Sequence, residues 1–174
     1  MQKLKPIILR KSDPTENQIK SIKRNPIYLV LDQIQDTFNI GSLFRLGDAI
    51  AAEKIYLCGT MEYPPNSRIH KAAVGTENWV PWEKRGSTLE LVLELKSKGV
   101  HTIAIEQYGK ATNYKNLKCK FPVAIIAGNE TEGLSKEILQ EVDEIVELPM
   151  YGINHSFNVW GTTAVAAYKL LEEL

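Results

Sequence analysis

Cysteine is nearly absent. Cys58 and Cys119 are the only two in 174 residues, and buried or incidental thiols are expected rather than a disulfide or a metal pair. Three histidines (His70, His101, His155) stand at no metal-ligand spacing with one another or with the cysteines, so no metal is expected. No apolar run approaches the roughly 20 residues of a membrane span, and the opening Met1-Gln2-Lys3-Leu4-Lys5-Pro6 has no apolar core of the kind a secretory signal needs. No membrane partner is expected, and the cytoplasm is the expected location. Net charge is missing too, since 21 Lys and Arg balance 21 Asp and Glu. That balance argues against strong non-specific nucleic-acid binding, which rests on phosphate neutralisation, but leaves local patches open. One such patch is Lys3, Lys5, Arg10, Lys11, Lys20, Lys23 and Arg24. Its plainer reading is a solvated basic face.

What is present is an ordinary globular composition, 44% hydrophobic and 24% charged, in a chain long enough to bury a sizeable core. No repeat, low-complexity tract or linker divides it. Residues 1–26 read as a basic N-terminal leader and helix, and 27–174 as one domain. Asp13-Pro14-Thr15-Glu16 looks like a helix start with Asp13 as cap, and the helix runs to Arg24. Strands are expected over Ile27 to Leu31, Lys54 to Cys58, Val100 to Ile105, Pro122 to Ala127 and Ile145 to Leu148. Helices are expected over Ile40 to Ala51, Ile69 to Val74, from Ser87 to Gly99, Ser135 to Val142, and Asn158 to Glu173. Residues Thr60 to Trp82 are otherwise mixed. Strands alternating with helices predict an α/β fold, with a mostly parallel sheet and helices on both faces.

Three polar, Gly-bearing segments each follow a strand and read as loops. They are Asn39-Ile40-Gly41-Ser42-Leu43-Phe44-Arg45, Gly128-Asn129-Glu130-Thr131-Glu132-Gly133-Leu134-Ser135, and Leu148 through Val159. In the third, Ser156 and Asn158 sit where a helix begins, so unpaired backbone N–H groups and polar side chains converge. Ligands of such sheets bind outside the carboxyl ends of the strands. The second segment lacks the Lys-Ser/Thr of a P-loop and the Gly-x-Gly-x-x-Gly of a dinucleotide site, which counts against phosphate binding.

Together the three segments resemble the motifs of the SpoU/TrmH branch of the SPOUT RNA methyltransferases. The first matches on Asn39, Gly41 and Arg45. The second matches on Gly128, Glu130, Gly133 and Leu134, and the third on Pro149, Met150, Ser156 and Asn158. They occur in family order and span most of the chain. The resemblance implies a C-terminal trefoil knot, which general topology rules would not anticipate. It also implies bound S-adenosylmethionine, a homodimer, and ribose 2′-O-methylation of RNA, most plausibly tRNA with rRNA as the other candidate.

The resemblance further implies roles for individual residues. Ala127, Gly128, Asn129, Gly133, Leu148, Met150 and Phe157 would hold the cofactor. Arg45, Asn39, Glu130, Ser156 and Asn158 would form the catalytic set. In the family the Arg is assigned to activation of the hydroxyl. Because a guanidinium has a pKa above about 12, Arg45 fits better as a phosphate and oxyanion clamp than as a literal base. Asn39 and Asn158 would orient substrate or cap helices, and Ser156 would help place the ribose. Glu130 would fix Arg45, within the chain or from a partner subunit, or pin its loop.

Some positions depart from the family pattern. Thr37-Phe38 replaces a frequent Pro before Asn39, Phe157 stands where Leu is usual, and Trp160-Gly161 replaces smaller, more uniform residues. Trp160 is expected to fill the space beside Gly161. Three other readings stand beside the ribose methyltransferase: a related enzyme acting on a base nitrogen, a catalytically silent RNA-binding protein of the same fold, and a generic small-molecule α/β enzyme.

Overall fold

The computed structural model describes residues 13–174. Lys3, Lys5, Arg10 and Lys11 of the basic patch lie outside the described residues. A short helix α1 (Glu16–Ser21) leads into β1 (Asn25–Asp32), α2 (Thr37–Ala49), β2 (Ala52–Cys58) and α3 (Ser67–Ala73). Next come β3 (Trp82–Arg85), α4 (Thr88–Ser97), β4 (His101–Ile105) and the two-residue β5 (Thr112–Asn113). The chain ends with β6 (Val123–Ala127), α5 (Lys136–Glu141), β7 (Glu144–Glu147) and α6 (Val159–Leu171).

All seven strands pair in parallel, in the order β3-β2-β1-β6-β4-β7-β5. The central strands read as continuous apolar runs because both faces are covered. Alternate residues face opposite layers. Ile27, Leu29, Leu31 and Ile125 pack against Leu43 and Phe44 of α2 and Leu170 of α6. Val30, Ala124 and Ile126 pack against Leu91 and Leu95 of α4 and Ile138 of α5. Helices on both faces therefore follow from the strand periodicity. From β1 the chain builds outward through β2 and β3, whereas β6, β4 and β7 lie on the other side. The carboxyl ends of β1 and β6 thus sit at the topological switch point, where open α/β sheets bind ligands. The return of α6 onto α2 and β6 is compatible with the threaded arrangement that the resemblance implies.

Several local expectations change. Thr15 rather than Asp13 caps α1, in a reciprocal capping box with Gln18, and the helix stops at Ser21 rather than Arg24. The first motif is no loop: Asn39 through Arg45 lie within α2, whose cap is Asp36. Strands β3 and β5 were not anticipated, because both are edge strands too short to show a period.

Placing the first motif on a helix changes the reading of Gly41. A Cβ there would lie 2.5 Å from the Ala72 Cβ, 2.7 Å from the Ala73 nitrogen and 2.7 Å from the Ile69 carbonyl oxygen. Gly41 is the point of closest approach between α2 and α3, and the atoms it would meet are mostly backbone that cannot turn aside. Gly41→Ala gains up to about 1 kcal/mol of helix propensity, but forcing the two helices apart costs about 1–3 kcal/mol. Urea denaturation is expected to show net destabilisation of about 1 kcal/mol or more, with no gain in midpoint.

Candidate active site

Where the backbone leaves β1, Asp36 accepts the Phe38 amide at 2.8 Å and starts α2. This places Asn39 in the first helical turn, almost wholly buried. Where the backbone leaves β6, residues 128–135 fold back on themselves. The Asn129 side chain holds the turn, accepting the Thr131 and Glu132 amides at 2.9 and 3.0 Å and donating to the Gln33 carbonyl at 2.8 Å. Gly133 takes a φ of +66°, a conformation that L side chains rarely adopt. At Gly128 a Cβ would sit 2.7 Å from the Gly133 carbonyl carbon and 2.8 Å from the Leu134 nitrogen. The close approach that requires Gly128 is thus to its own loop, not to a ligand.

Glu130, at the tip of that turn, reaches across to the first segment. Its carboxylate accepts the Gln35 amide at 3.0 Å, the Asp36 amide at 3.1 Å and the Asn39 Nδ2 at 2.9 Å. Burial pushes the Glu130 carboxyl up, but hydrogen bonds led by the Gln35 amide and the Asn39 side chain outweigh it and hold the pKa below the ordinary glutamate value. The third segment joins through Asn158. Its Oδ1 caps α6 by accepting the Trp160 amide at 3.0 Å, and its Nδ2 donates to the Asn39 Oδ1 at 3.1 Å. A continuous chain, Asn158 to Asn39 to Glu130 to backbone, ties the three motifs together.

These loops surround a cleft of about 610 Å³, within the usual range for small-molecule sites. Asn39, Glu130, Ser156 and Asn158 line it, as do Gly128, Asn129, Gly133, Leu148, Met150 and Phe157. Two expected residues do not. Ala127 is buried at the end of β6. Arg45 is exposed on α2, lies outside the cleft, and makes no ion pair or hydrogen bond among the described residues. Glu130 therefore pins loops and does not hold the Arg45 of its own chain. Sequence reasoning missed Glu106, Gln107 and Glu147, which also line the cleft. Their signal was available, since Glu106 directly follows β4 and Glu147 ends β7.

Four carboxylates, Asp36, Glu106, Glu130 and Glu147, line the cleft, and among the described residues no Lys or Arg does. Such a lining disfavours an anionic phosphate and favours a ligand with positive charge and hydrogen-bond donors.

The sequence profile of the SpoU rRNA methylase family matches residues 26–168. The chain belongs to that family. A Bacillus subtilis protein of the TrmH family is 26% identical over 149 residues, covering 86% of this chain and 58% of that protein. The tRNA (guanosine(18)-2′-O)-methyltransferase of Aquifex aeolicus is 24% identical over 164 residues, covering 94% of this chain and 77% of that enzyme. Among solved structures, an rRNA methyltransferase from Sinorhizobium meliloti with S-adenosylmethionine bound superposes with a TM-score of 0.81 at 25% identity, over 88% of this chain and 58% of that one. The chain thus spans a little under three fifths of the Bacillus and Sinorhizobium proteins.

Two departures from the SpoU pattern turn out to compensate each other. A Cβ on Gly161 would lie 2.9 Å from the Phe157 ring. Phe157, not Trp160, occupies the space that Gly161 leaves, so the larger residue of the third motif is matched by the smaller one in α6.

The lowered pKa of Glu130 gives its carboxylate a pH signature. Its stabilising contribution is complete above the unfolded glutamate value of about 4.3 and fades as pH falls through the lower folded value. Glu130→Gln is expected to be less stable than the parent at pH 7, and the gap should narrow as pH drops below the ordinary glutamate range. Denaturation midpoints of both proteins across about pH 2–7, which spans the carboxylate range, check this.

Proposed function

We propose that this chain is an S-adenosylmethionine-dependent RNA ribose 2′-O-methyltransferase that works as a homodimer in the cytoplasm, with tRNA as the favoured substrate and rRNA as the other candidate. The observation that carries the reading is the cleft walled by the three family motifs and lined by carboxylates, with no Lys or Arg among the described residues. S-adenosylmethionine is a cation at its sulfonium, and a site lined by four carboxylates and, among the described residues, by no Lys or Arg suits it better than a nucleotide phosphate. When bound, it supplies a methyl group activated by sulfonium. Membership of the SpoU family and the names of its Aquifex and Sinorhizobium relatives support RNA as the acceptor. Among the described residues no helix is long and apolar enough to cross a membrane, and no group of three or more His, Cys, Asp or Glu could hold a metal ion. Residues 27–174 form the methyltransferase domain in this reading.

Each side chain then has a task. Leu148, Met150 and Phe157 give the cofactor apolar contact, while the turn from Gly128 to Gly133 shapes its slot. Asn39 is locked between Glu130 and Asn158 and holds the floor rigid beneath the reacting groups. Exposed Ser156 meets the target ribose at the rim. Arg45 acts from the second copy of the chain, across the interface, because in its own chain it stands outside the cleft. It binds the neighbouring phosphate and stabilises charge on the ribose oxygen as the proton leaves to phosphate or water. The surface around it suits pairing with a second copy. Phe38 on α2, Phe157, and Trp160 and Tyr168 on α6 are exposed, and α6 packs against α2.

The test is transfer of tritium from labelled S-adenosylmethionine to total RNA from a strain lacking the protein, followed by mapping of the labelled nucleotide. Label on a ribose oxygen at one site is the expected result. Label on a base would move the reading to the base-methylating relatives, and failure to bind the cofactor would favour the silent RNA binder. Arg45→Ala is expected to lower transfer by about 100-fold or more, the usual cost of losing a charged transition-state contact, with cofactor affinity unchanged. If Arg45→Lys kept near-normal turnover while RNA affinity fell, the role of Arg45 would be confined to positioning.

A further inference from the structure

Glu106 belongs to none of the three motifs, yet its carboxylate stands in the cleft. Its backbone remains in the sheet, with the amide donating to the Val146 carbonyl at 3.1 Å. The side chain turns to the second motif, where Oε2 accepts the Leu134 amide at 3.1 Å, and Oε1 accepts the Gln107 amide at 3.0 Å. Gly133 makes room for it, since a Cβ on Gly133 would collide with the Glu106 carboxylate. The second glycine of the motif is therefore needed twice, for its backbone angle and for the space that Glu106 fills.

The other cleft carboxylates have different duties. Glu130 is engaged by three donors, and Asp36 is the cap of α2. Glu106 accepts one hydrogen bond on each oxygen, and an ionised carboxylate has about four acceptor positions. Its position is fixed by the Leu134 and Gln107 amides while capacity remains on the cleft side. One residue beyond the Ile105–Val146 pairing of β4 with β7 stands Glu147, half-buried and without a hydrogen bond or ion pair among the described residues. The negative charge there is not neutralised by the protein. Whatever part of a ligand faces Glu106 must donate hydrogen bonds and carry no negative charge.

We propose that Glu106 recognises the ribose of the cofactor, accepting hydrogen bonds from its 2′- and 3′-hydroxyls. This rests on the cofactor reading above. Of the parts of S-adenosylmethionine, the diol offers two adjacent neutral donors that one carboxylate can accept together, whereas the methionine carboxylate would be repelled by Glu106 and Glu147. The methionine end would therefore lie away from β4 and β7. A carboxylate that selects a ribose diol is a known solution in nucleotide-binding α/β proteins, reached here on a different loop.

Calorimetric binding of S-adenosylhomocysteine and its 2′-deoxy and 3′-deoxy analogues to the full chain tests the assignment, with Glu106→Gln as the variant. Gln keeps the size and one acceptor, so the Leu134 amide stays satisfied. The parent protein is expected to bind the deoxy analogues about 10- to 100-fold more weakly than S-adenosylhomocysteine, the range for hydrogen bonds to a charged group. In Glu106→Gln that ratio should collapse toward one, with the affinity for the deoxy analogues nearly unchanged. Equal weakening of all three ligands by the substitution, or no weakening, would overturn the assignment and leave Glu106 as a loop support alone. Failure of the unsubstituted protein to bind S-adenosylhomocysteine at all would overturn the cofactor reading, and this assignment with it.

Discussion

One carboxylate holds the site in shape. Glu130 accepts two backbone amides and one side-chain amide from the segment after β1, so it links the strand ends on either side of the switch point. The Gln35 and Asp36 amides, just ahead of α2, find their acceptor in this carboxylate, and a charged acceptor satisfies donors more strongly than a neutral one. The same bond fixes Asn39, and through Asn39 it fixes Asn158 and the start of α6. A loop of small polar residues has little burial with which to hold itself. Here three segments become one wall because the Glu130 carboxylate accepts what the others donate.

Layer architecture was legible because it rests on simple periodicities. Ile27, Leu29 and Leu31 alternate with Val30, and both sets are apolar, so β1 had to be covered on both sides. The site was legible because its residue types are poor choices for a core. What could not be read was distance across the fold. Gly128 looks like a ligand-facing glycine in the sequence and Gly41 like one of a loop, yet both are required by contacts with protein backbone. Phe157 and Gly161 look like two separate departures, and only their contact shows that one answers the other. Glu106 follows a strand as the motif residues do, and Gln107 and Gly109 come after it, but it belongs to none of the three motifs. The role of Glu106 becomes visible only when the Leu134 amide is seen on its carboxylate.

In the proposed reading, the chain separates two electrostatic problems that an RNA-modifying enzyme must solve. The cleft concentrates carboxylates and, among the described residues, holds no Lys or Arg, which would suit a cationic cofactor and repel polyanionic RNA. Substrate therefore has to be drawn by groups outside the cleft, at its rim and beyond. With no net charge to supply long-range attraction, binding must come from local groups such as Arg45, which among the described residues have no partner in the chain to satisfy them. A neutral protein gains from this arrangement, because non-specific affinity for phosphate stays low and contact geometry decides which RNA is held.

In the proposed reading, the position of Arg45 calls for a second copy of the chain. Seven residues, nearly two full turns, separate it from Phe38, so both project from the same exposed side of α2. Asn39 lies on the buried side and faces the cleft. The first motif therefore divides between two directions: its Asn lines the cleft of its own chain, and its Arg points outward on the side of α2 that exposes Phe38. A guanidinium that contacts the reacting ribose can reach a cleft only where another copy presents one. Phe38, exposed on the same side of α2 as Arg45, would be a liability on a lone subunit. In the proposed pair it would lie in the contact that carries each Arg45 to the opposite site, so its exposure and the isolation of the arginine would have one explanation.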